Sequence, residues 1–261
     1  MDYKKVNRRS WNDRVKVHIE SDFYDVPSFL QGKNSLKQPE LSLLEDVQGK
    51  SILHLQCHFG QDSISLSRMG AKVTGVDLSN TAIEKAKELN EACGTDVEFV
   101  VSDIYDLPDA MEGKFDIVFT SYGTIGWLPD LHKWAGVVHH FLKDGGSFVF
   151  AEFHPAIWMF DDDHESVFYN YFTSDPIVES YTGTYAQKDA EIEFKTISWN
   201  HGLGEVMTSL LDHGLTIEHF QEYDFSPYDC FGGMQQDGPD EYRITKFGNK
   251  MPLMYTLKAI K

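Results

Sequence analysis

Short apolar runs alternate with helical periods through the middle of this chain. SILHL (51–55), AKVTGVDL (71–78), VEFVVSD (97–103), FDIVFTS (115–121) and SFVFAEF (147–153) are strand candidates. Most are rich in Val, Ile and Phe, as strands buried on both faces are. Between them, residues 81–93 place Ala82, Ala86, Leu89 and Cys93 on one stripe and stop at Gly94. Thr81 and Glu84 have capping-box spacing, and Ser79 is the alternative N-cap. Residues 130–142 follow Pro129, with Asp130 as N-cap and Leu131, Trp134, Val138 and Phe141 facing inward. The turn KDGG (143–146) then leads into the fifth strand. This order predicts right-handed βαβ units and a parallel sheet.

After residue 153 the pattern changes. SVFYNYF (166–172) and AEIEFKTISW (190–199) alternate polar with apolar, which predicts antiparallel strands with one wet face. LGEVMTSLLDHG (203–214) reads as a helix, and LTIEHFQEY (215–223) and LMYTLKAI (253–260) as two last strands. Residues 224–252 are Gly-rich and carry Pro227, Pro239 and Pro252, the marks of a long functional or mobile loop. Residues 1–50 stand outside the sheet, and 10–29 mix aromatic and polar side chains without a clean period.

Length and composition narrow the class. The 261 residues, 41% of them apolar, suit one α/β domain with insertions, and no run is long and apolar enough to span a membrane. No apolar segment follows the basic N-terminus, so a secretory signal is not expected. Cys57, Cys93 and Cys230 fall at irregular spacing, which predicts reduced thiols in a cytoplasmic protein. A net charge of −18 repels phosphate backbones and disfavours a nucleic-acid substrate. The one basic cluster is Lys4, Lys5, Arg8 and Arg9.

The loop LHLQCHFGQD (53–62) follows the first strand, where a parallel sheet binds ligands at the reversal of strand order. Asp77 ends the second strand, placed to accept from a ribose, and Asp103 ends the third, placed to accept from an adenine amine. Alone, the loop is equally a strand-to-helix turn in a flavodoxin-like domain. A nicotinamide-dependent dehydrogenase would carry the full GxGxxG, which is absent.

Taken with VTGVDLS, VSDIYDLP, FDIVFTSYGTIGWLPD and LKDGGSFVFAEFHP, the loop resembles a class I S-adenosylmethionine-dependent methyltransferase over about two-fifths of the chain. The resemblance implies a Rossmann-like, mostly parallel seven-stranded sheet with helices on both faces and an antiparallel last strand. It divides the chain into an N-terminal lid or cap (1–50) and a methyltransferase domain (51–261). That domain has a β-rich insertion after the fifth strand, at about 153–200, and the long loop 224–252. The implied cofactor is S-adenosyl-L-methionine, held by Gln56, His58, Gly60, Gln61, Asp77, Leu78, Ser79, Asp103, Ile104 and Ser121, with Tyr24 and Trp11 as lid contacts. The loop departs from the family pattern: His54 stands at the acidic position, and Gln56 and His58 replace the first two glycines. Gly60 is then expected to keep the closest backbone approach.

The implied reaction is in-line transfer of a methyl group to a small-molecule acceptor, aromatic or cationic, by a protein that mainly aligns the partners. A non-catalytic S-adenosylmethionine-binding sensor or partner subunit is the alternative. His154 is the candidate general base and Tyr122 a second catalytic candidate, because both follow strand ends facing the donor. Trp127 and Trp158 are core, lid or cation–π residues. DDDHE (161–165) has hard-cation ligand types but reads as a solvated face, so no metal is expected.

Overall fold

A computed structural model describes residues 2–261. The chain enters through α1 (Tyr3–His18), α2 (Val26–Leu30) and α3 (Gln38–Leu44). It then winds through β1 (Ser51–Leu55), α4 (Gln61–Arg68), β2 (Lys72–Asp77), α5 (Asn80–Cys93) and β3 (Glu98–Val101). There follow α6 (Leu107–Ala110), β4 (Phe115–Ser121), α7 (Leu131–Phe141) and β5 (Leu142–Phe153). Beyond these lie β6 (Ile177–Thr182), β7 (Glu193–Ser198), α8 (Leu203–Asp212) and β8 (Thr216–Tyr223). The hairpin β9 (Met234–Gly238) and β10 (Glu241–Ile244) precedes the last strand, β11 (Met254–Ile260).

The main sheet has seven strands in the order β3-β2-β1-β4-β5-β11-β8. β1 pairs in parallel with both β2 and β4, so the strand order reverses between β1 and β4. β11 is antiparallel to β5 and to β8, as expected of the last strand. Alternation along β1 explains the layers. Leu53 and Leu55 join Trp134, Phe141 and Phe148 under α7 and α8 on one face. Ile52 joins Ile64, Ile83 and Leu89 under α3, α4 and α5 on the other. No helix among the described residues is long and apolar enough to cross a membrane.

Two strand expectations are corrected. Residues 166–172 form no strand: a single bridge joins Phe160 and Val167, and Phe168 and Phe172 are 71% and 78% exposed. Their alternation has no partner to pair with, and β7 takes β6 instead. The stretch 224–252 is not all loop, because β9 and β10 form a hairpin turning at Asp240 (φ +53°). At α5 the N-cap is Ser79, whose hydroxyl accepts from the Ala82 N–H at 3.0 Å.

The largest departure is α1, sixteen residues of helix where no apolar period exists. Its buried face is Asn7, Ser10, Arg14, Val15 and His18, a helical spacing filled almost entirely by polar side chains. It docks by hydrogen bonds. Asn7 Nδ2 donates to the Ile197 carbonyl at 2.7 Å and its Oδ1 accepts from the Ile197 N–H at 2.9 Å, completing the edge of β7. Asn12 Oδ1 accepts from Ser79 Oγ at 2.6 Å, and Lys4 reaches both Asp103 (2.9 Å) and Asp106 (2.8 Å). The basic cluster of the sequence is thus partly consumed in holding α1 to the ends of β2 and β3. Asn7→Ala strands two buried backbone groups of Ile197, and urea unfolding is expected to show a loss of roughly 2 kcal/mol or more.

Candidate functional site

A cavity of about 820 Å³ opens beyond the carboxyl ends of β1, β4 and β5, and side chains of β6 and β7 also line it. This is where a sheet with reversed strand order binds ligands. Its floor is the loop 56–61.

The loop keeps the backbone that its missing glycines would have had. Gln56 and His58 lie in the left-handed region, at φ +55° and +52°. Each such non-glycine residue costs roughly 1–2 kcal/mol, a strain that persists only where the surroundings enforce it. They do so here. Asp77 accepts from the His58 N–H at 2.9 Å and from the Ser79 N–H at 2.8 Å, tying the loop to the end of β2. Gln56 Nε2 donates to the Thr124 carbonyl at 2.8 Å, while its Oε1 is buried with no hydrogen-bond partner. Gly60, also left-handed at +81°, has a packing task as well. A Cβ there would sit 2.5 Å from the Phe99 ring and 3.1 Å from Ala86, so the glycine lets α4 and the sheet pack together. Gly60 also lines the cavity.

The other expected residues separate into two groups. Trp11, Tyr24, Gln61, Leu78, Ser121 and Tyr122 line the cavity with Gln56, His58 and Asp77. Gln61 Nε2 donates to the Tyr24 carbonyl, and Trp11 packs edge-on to His58 with ring centroids 5.3 Å apart. Ser79 and Ile104 are buried away from it, Ser79 as the helix cap. Asp103 is paired with Lys4 and stands outside the lining.

His154 also stands outside the cavity, and its expected role as general base is corrected. Its Nδ1 accepts from the Ala156 N–H at 3.1 Å, so the proton sits on Nε2, which donates to Glu222 at 2.8 Å on the sheet's antiparallel side. With both nitrogens engaged and burial lowering its basicity, the ring braces a turn.

Glu40, Asp62, Glu152 and His18 escaped the sequence reading; Asp62 and Glu152 line the cavity, and Glu40 and His18 touch residues that do. Tyr122, left-handed at φ +50°, donates from its hydroxyl to Glu40 at 2.5 Å. Burial pushes the Glu40 carboxyl up to about 8 and the Tyr122 phenol well above its usual range. Asp62 accepts from Ser35 at 2.6 Å and from Ser121 at 3.2 Å. Glu152 accepts from the N–H groups of Gly123, Thr124, Ile125 and Phe153, and so fixes the loop after β4. His18 and His58 share a 3.0 Å hydrogen bond, and burial holds both neutral, His58 down at about 3. Burial raises Asp77 to about 6. Among the described residues no three His, Cys, Asp or Glu side chains gather as metal ligands.

A parallel sheet with one antiparallel strand, a strained loop after β1 and an acid ending β2 define the class I methyltransferase fold. Residues 52–146 match the family model described as a methyltransferase domain. It is 35% identical over 131 residues to an uncharacterized methyltransferase of Synechocystis, covering 49% of this chain and 59% of that one. It is 27% identical over 152 residues to a ubiquinone biosynthesis O-methyltransferase of Pseudomonas syringae, covering 58% and 61%. The chain therefore spans about three-fifths of the length of these relatives. Among solved structures, an S-adenosylmethionine-dependent methyltransferase of Clostridium acetobutylicum superposes with a TM-score of 0.59 at 15% identity, over 96% of this chain and 98% of that one. Geranyl diphosphate C-methyltransferase of Streptomyces coelicolor gives 0.60 at 14% identity, over 100% and 98%. At such identities the likeness is one of fold.

The packing at Gly60 sets a test. Gly60→Ala combines a left-handed alanine with a clash against Phe99, and is expected to cost about 3 kcal/mol or more in urea unfolding. In the Gly60→Ala/Phe99→Ala double variant the two losses are expected to be less than additive, because the second substitution removes the obstructing ring.

Proposed function

We propose that this protein transfers a methyl group from S-adenosyl-L-methionine to a small-molecule acceptor bound in the cavity. The observation that carries the reading is the loop 56–61, whose left-handed Gln56 and His58 keep the shape of a glycine loop at an energetic cost, with the buried carboxylate of Asp77 beside them. The residues present fit the donor. Gln56 Oε1, buried and unpartnered, is an acceptor for its ammonium group, and Asp77 is an acceptor for ribose hydroxyls. Leu78 and Trp11 supply apolar contact, and Ser121 and Tyr24 complete the wall. Asp103 serves the adenine end indirectly, by anchoring α1 through Lys4. We also propose that residues 1–50 and the segment carrying Tyr228 and Phe231 form a roof that excludes water from the reacting atoms.

The bound donor would supply an activated methyl group, whose carbon–sulfur bond breaks with its electron pair left on sulfur as the acceptor's bond to carbon forms. The chain's part is alignment and removal of the acceptor's proton. Tyr122 faces the cavity and hands its own proton to Glu40, so a proton leaving the acceptor passes to the phenol oxygen as the phenol proton passes to the carboxylate. The relay needs Glu40 ionised, which burial delays to about pH 8.

Calorimetric titration with S-adenosylmethionine and S-adenosylhomocysteine tests the donor site, and absence of saturable binding to either would overturn the reading. Asp77→Asn is expected to weaken binding by about tenfold to a hundredfold, the range for leaving hydrogen-bonding groups poorly matched. Ribose hydroxyls donate to the ionised carboxylate and lower its pKa on binding, so donor affinity is expected to fall as pH drops through about 6.

The acceptor side has its own test: release of labelled S-adenosylhomocysteine during incubation with metabolite pools. Turnover is expected to rise as pH passes through about 8. Tyr122→Phe is expected to lower kcat by about a hundredfold with donor affinity unchanged. A flat pH profile and an active Tyr122→Phe variant would remove the relay.

A further inference from the structure

Arg14 is the most anomalous side chain of the molecule. It is buried to 6% exposure on α1 and lines the cavity. Among the described residues its guanidinium makes no hydrogen bond and no ion pair, and Nε is buried without a partner. Aromatic rings pack against it instead: Phe194 with its centroid at 4.1 Å, Trp11 at 4.7 Å and Trp127 at 5.3 Å. The other groups that bear on it are the hydroxyls of Tyr24, Tyr181 and Tyr185 and the neutral rings of His18 and His58. In a chain of net charge −18, no carboxylate is within reach to neutralise this cation. Burial alone lowers its pKa to about 10, so it stays charged at neutral pH. A buried cation is ordinarily paired, and one left unpaired is a standing cost to the fold.

We propose that Arg14 is the anchor for a carboxylate on the acceptor, which makes the substrate a small aromatic or otherwise planar carboxylic acid. The inference rests on the methyl-transfer reading and adds the chemical class of the acceptor, replacing the cationic acceptor expected from the sequence. The apolar surroundings of the guanidinium favour the acceptor over the donor as the source of the carboxylate. Arg14 packs on Phe194 of β7, which also lines the cavity. Trp11 lies against Arg14, His58 and Trp127 alike. The rings of Trp11, Trp127 and Phe194 offer flat apolar surface beside the charge, the combination that holds a ring bearing an anionic substituent. A single guanidinium with no second cation recorded beside it matches one negative charge, and its planar fork matches a carboxylate.

The test uses benzoate and its neutral isostere benzamide, titrated into the complex with S-adenosylhomocysteine and followed by tryptophan fluorescence, since Trp11 and Trp127 flank the guanidinium. The wild-type protein is expected to bind benzoate about tenfold or more tightly than benzamide, the gain of a charge-assisted pair. Arg14→Gln is expected to abolish that preference while binding S-adenosylhomocysteine within about threefold of wild type, and to raise the melting temperature of the ligand-free protein because an unpaired buried charge is gone. Arg14→Lys, which keeps the charge without the fork, is expected to retain part of the preference and serves if the Gln variant fails to fold. Equal binding of benzoate and benzamide by the wild type, or no saturable benzoate binding, would overturn the proposal. So would an Arg14→Gln variant that loses S-adenosylhomocysteine but keeps 5′-methylthioadenosine, because the partner would then be the donor's own carboxylate. Failure of wild-type protein to bind S-adenosylhomocysteine at all would strike the methyl-transfer reading instead.

Discussion

The cavity depends on a helix that docks through amides. Helix α1 brings almost no apolar surface to its interface, so the hydrophobic effect that normally seats a surface helix is largely missing. What seats it is geometric: Asn7 completes the edge of β7, Asn12 reaches the cap of α5, and Lys4 pairs with the acids after β3. Each contact is worth little alone in water, yet leaving its partners buried and unmatched would cost more, so the set favours one register of the helix. That register delivers Trp11 and Arg14 to the cavity and His18 to His58, which lines it. Their spacing of three and four residues puts them on one face, and only a helix held at a defined rotation aims that face at the site.

The loop after β1 shows a related exchange. A glycine loop accepts the left-handed backbone without steric cost and offers a ligand only its N–H groups and empty space. This loop meets the steric cost at Gln56 and His58, and gains side chains with hydrogen-bonding capacity. His58 uses its capacity within the protein, on His18. Gln56 divides its own: the amide nitrogen holds Thr124, and the oxygen is buried without a partner. The strain is local and is countered by Asp77, so the acid that ends β2 is structural and ligand-facing at once.

The parts of the molecule that were readable in the sequence are those built on apolar periodicity. β1, β2 and β4 are near-continuously buried runs and α5, α7 and α8 carry period-3.6 burial, and their positions follow from it. α1 was not readable because its buried face is polar, and a binary apolar pattern cannot register Asn7, Ser10, Arg14 and His18 as one stripe. The same chemistry hid Glu40, which lies behind Tyr122 and eighty-odd residues from it in sequence. His154 misled for the opposite reason. Its place after β5 was right for a base, but only the fold reveals that Ala156 and Glu222 occupy both ring nitrogens. The segment 166–172 alternates like a strand, yet alternation specifies a face and never a partner.

Burial perturbs the charged groups of the site in a consistent direction. Glu40 and Asp77 are raised, so each tends toward neutrality in the folded protein, while Arg14 is lowered without losing its charge at neutral pH. For both acids the folded pKa exceeds the unfolded value. The stabilisation linked to their protonation is therefore complete below about pH 4 and is lost as pH rises through about 6 for Asp77 and about 8 for Glu40. At neutral pH the fold thus holds a strained loop, an ionised buried Asp77 and an unpaired cation, three local costs converging on one volume of about 820 Å³. Folding alone gives no reason to gather such costs. A donor that gives hydrogen bonds to Asp77 and to Gln56 Oε1, together with an acceptor that takes them from Arg14, would relieve two of them directly, and that shared relief is the physical basis for expecting binding to tighten the structure around both.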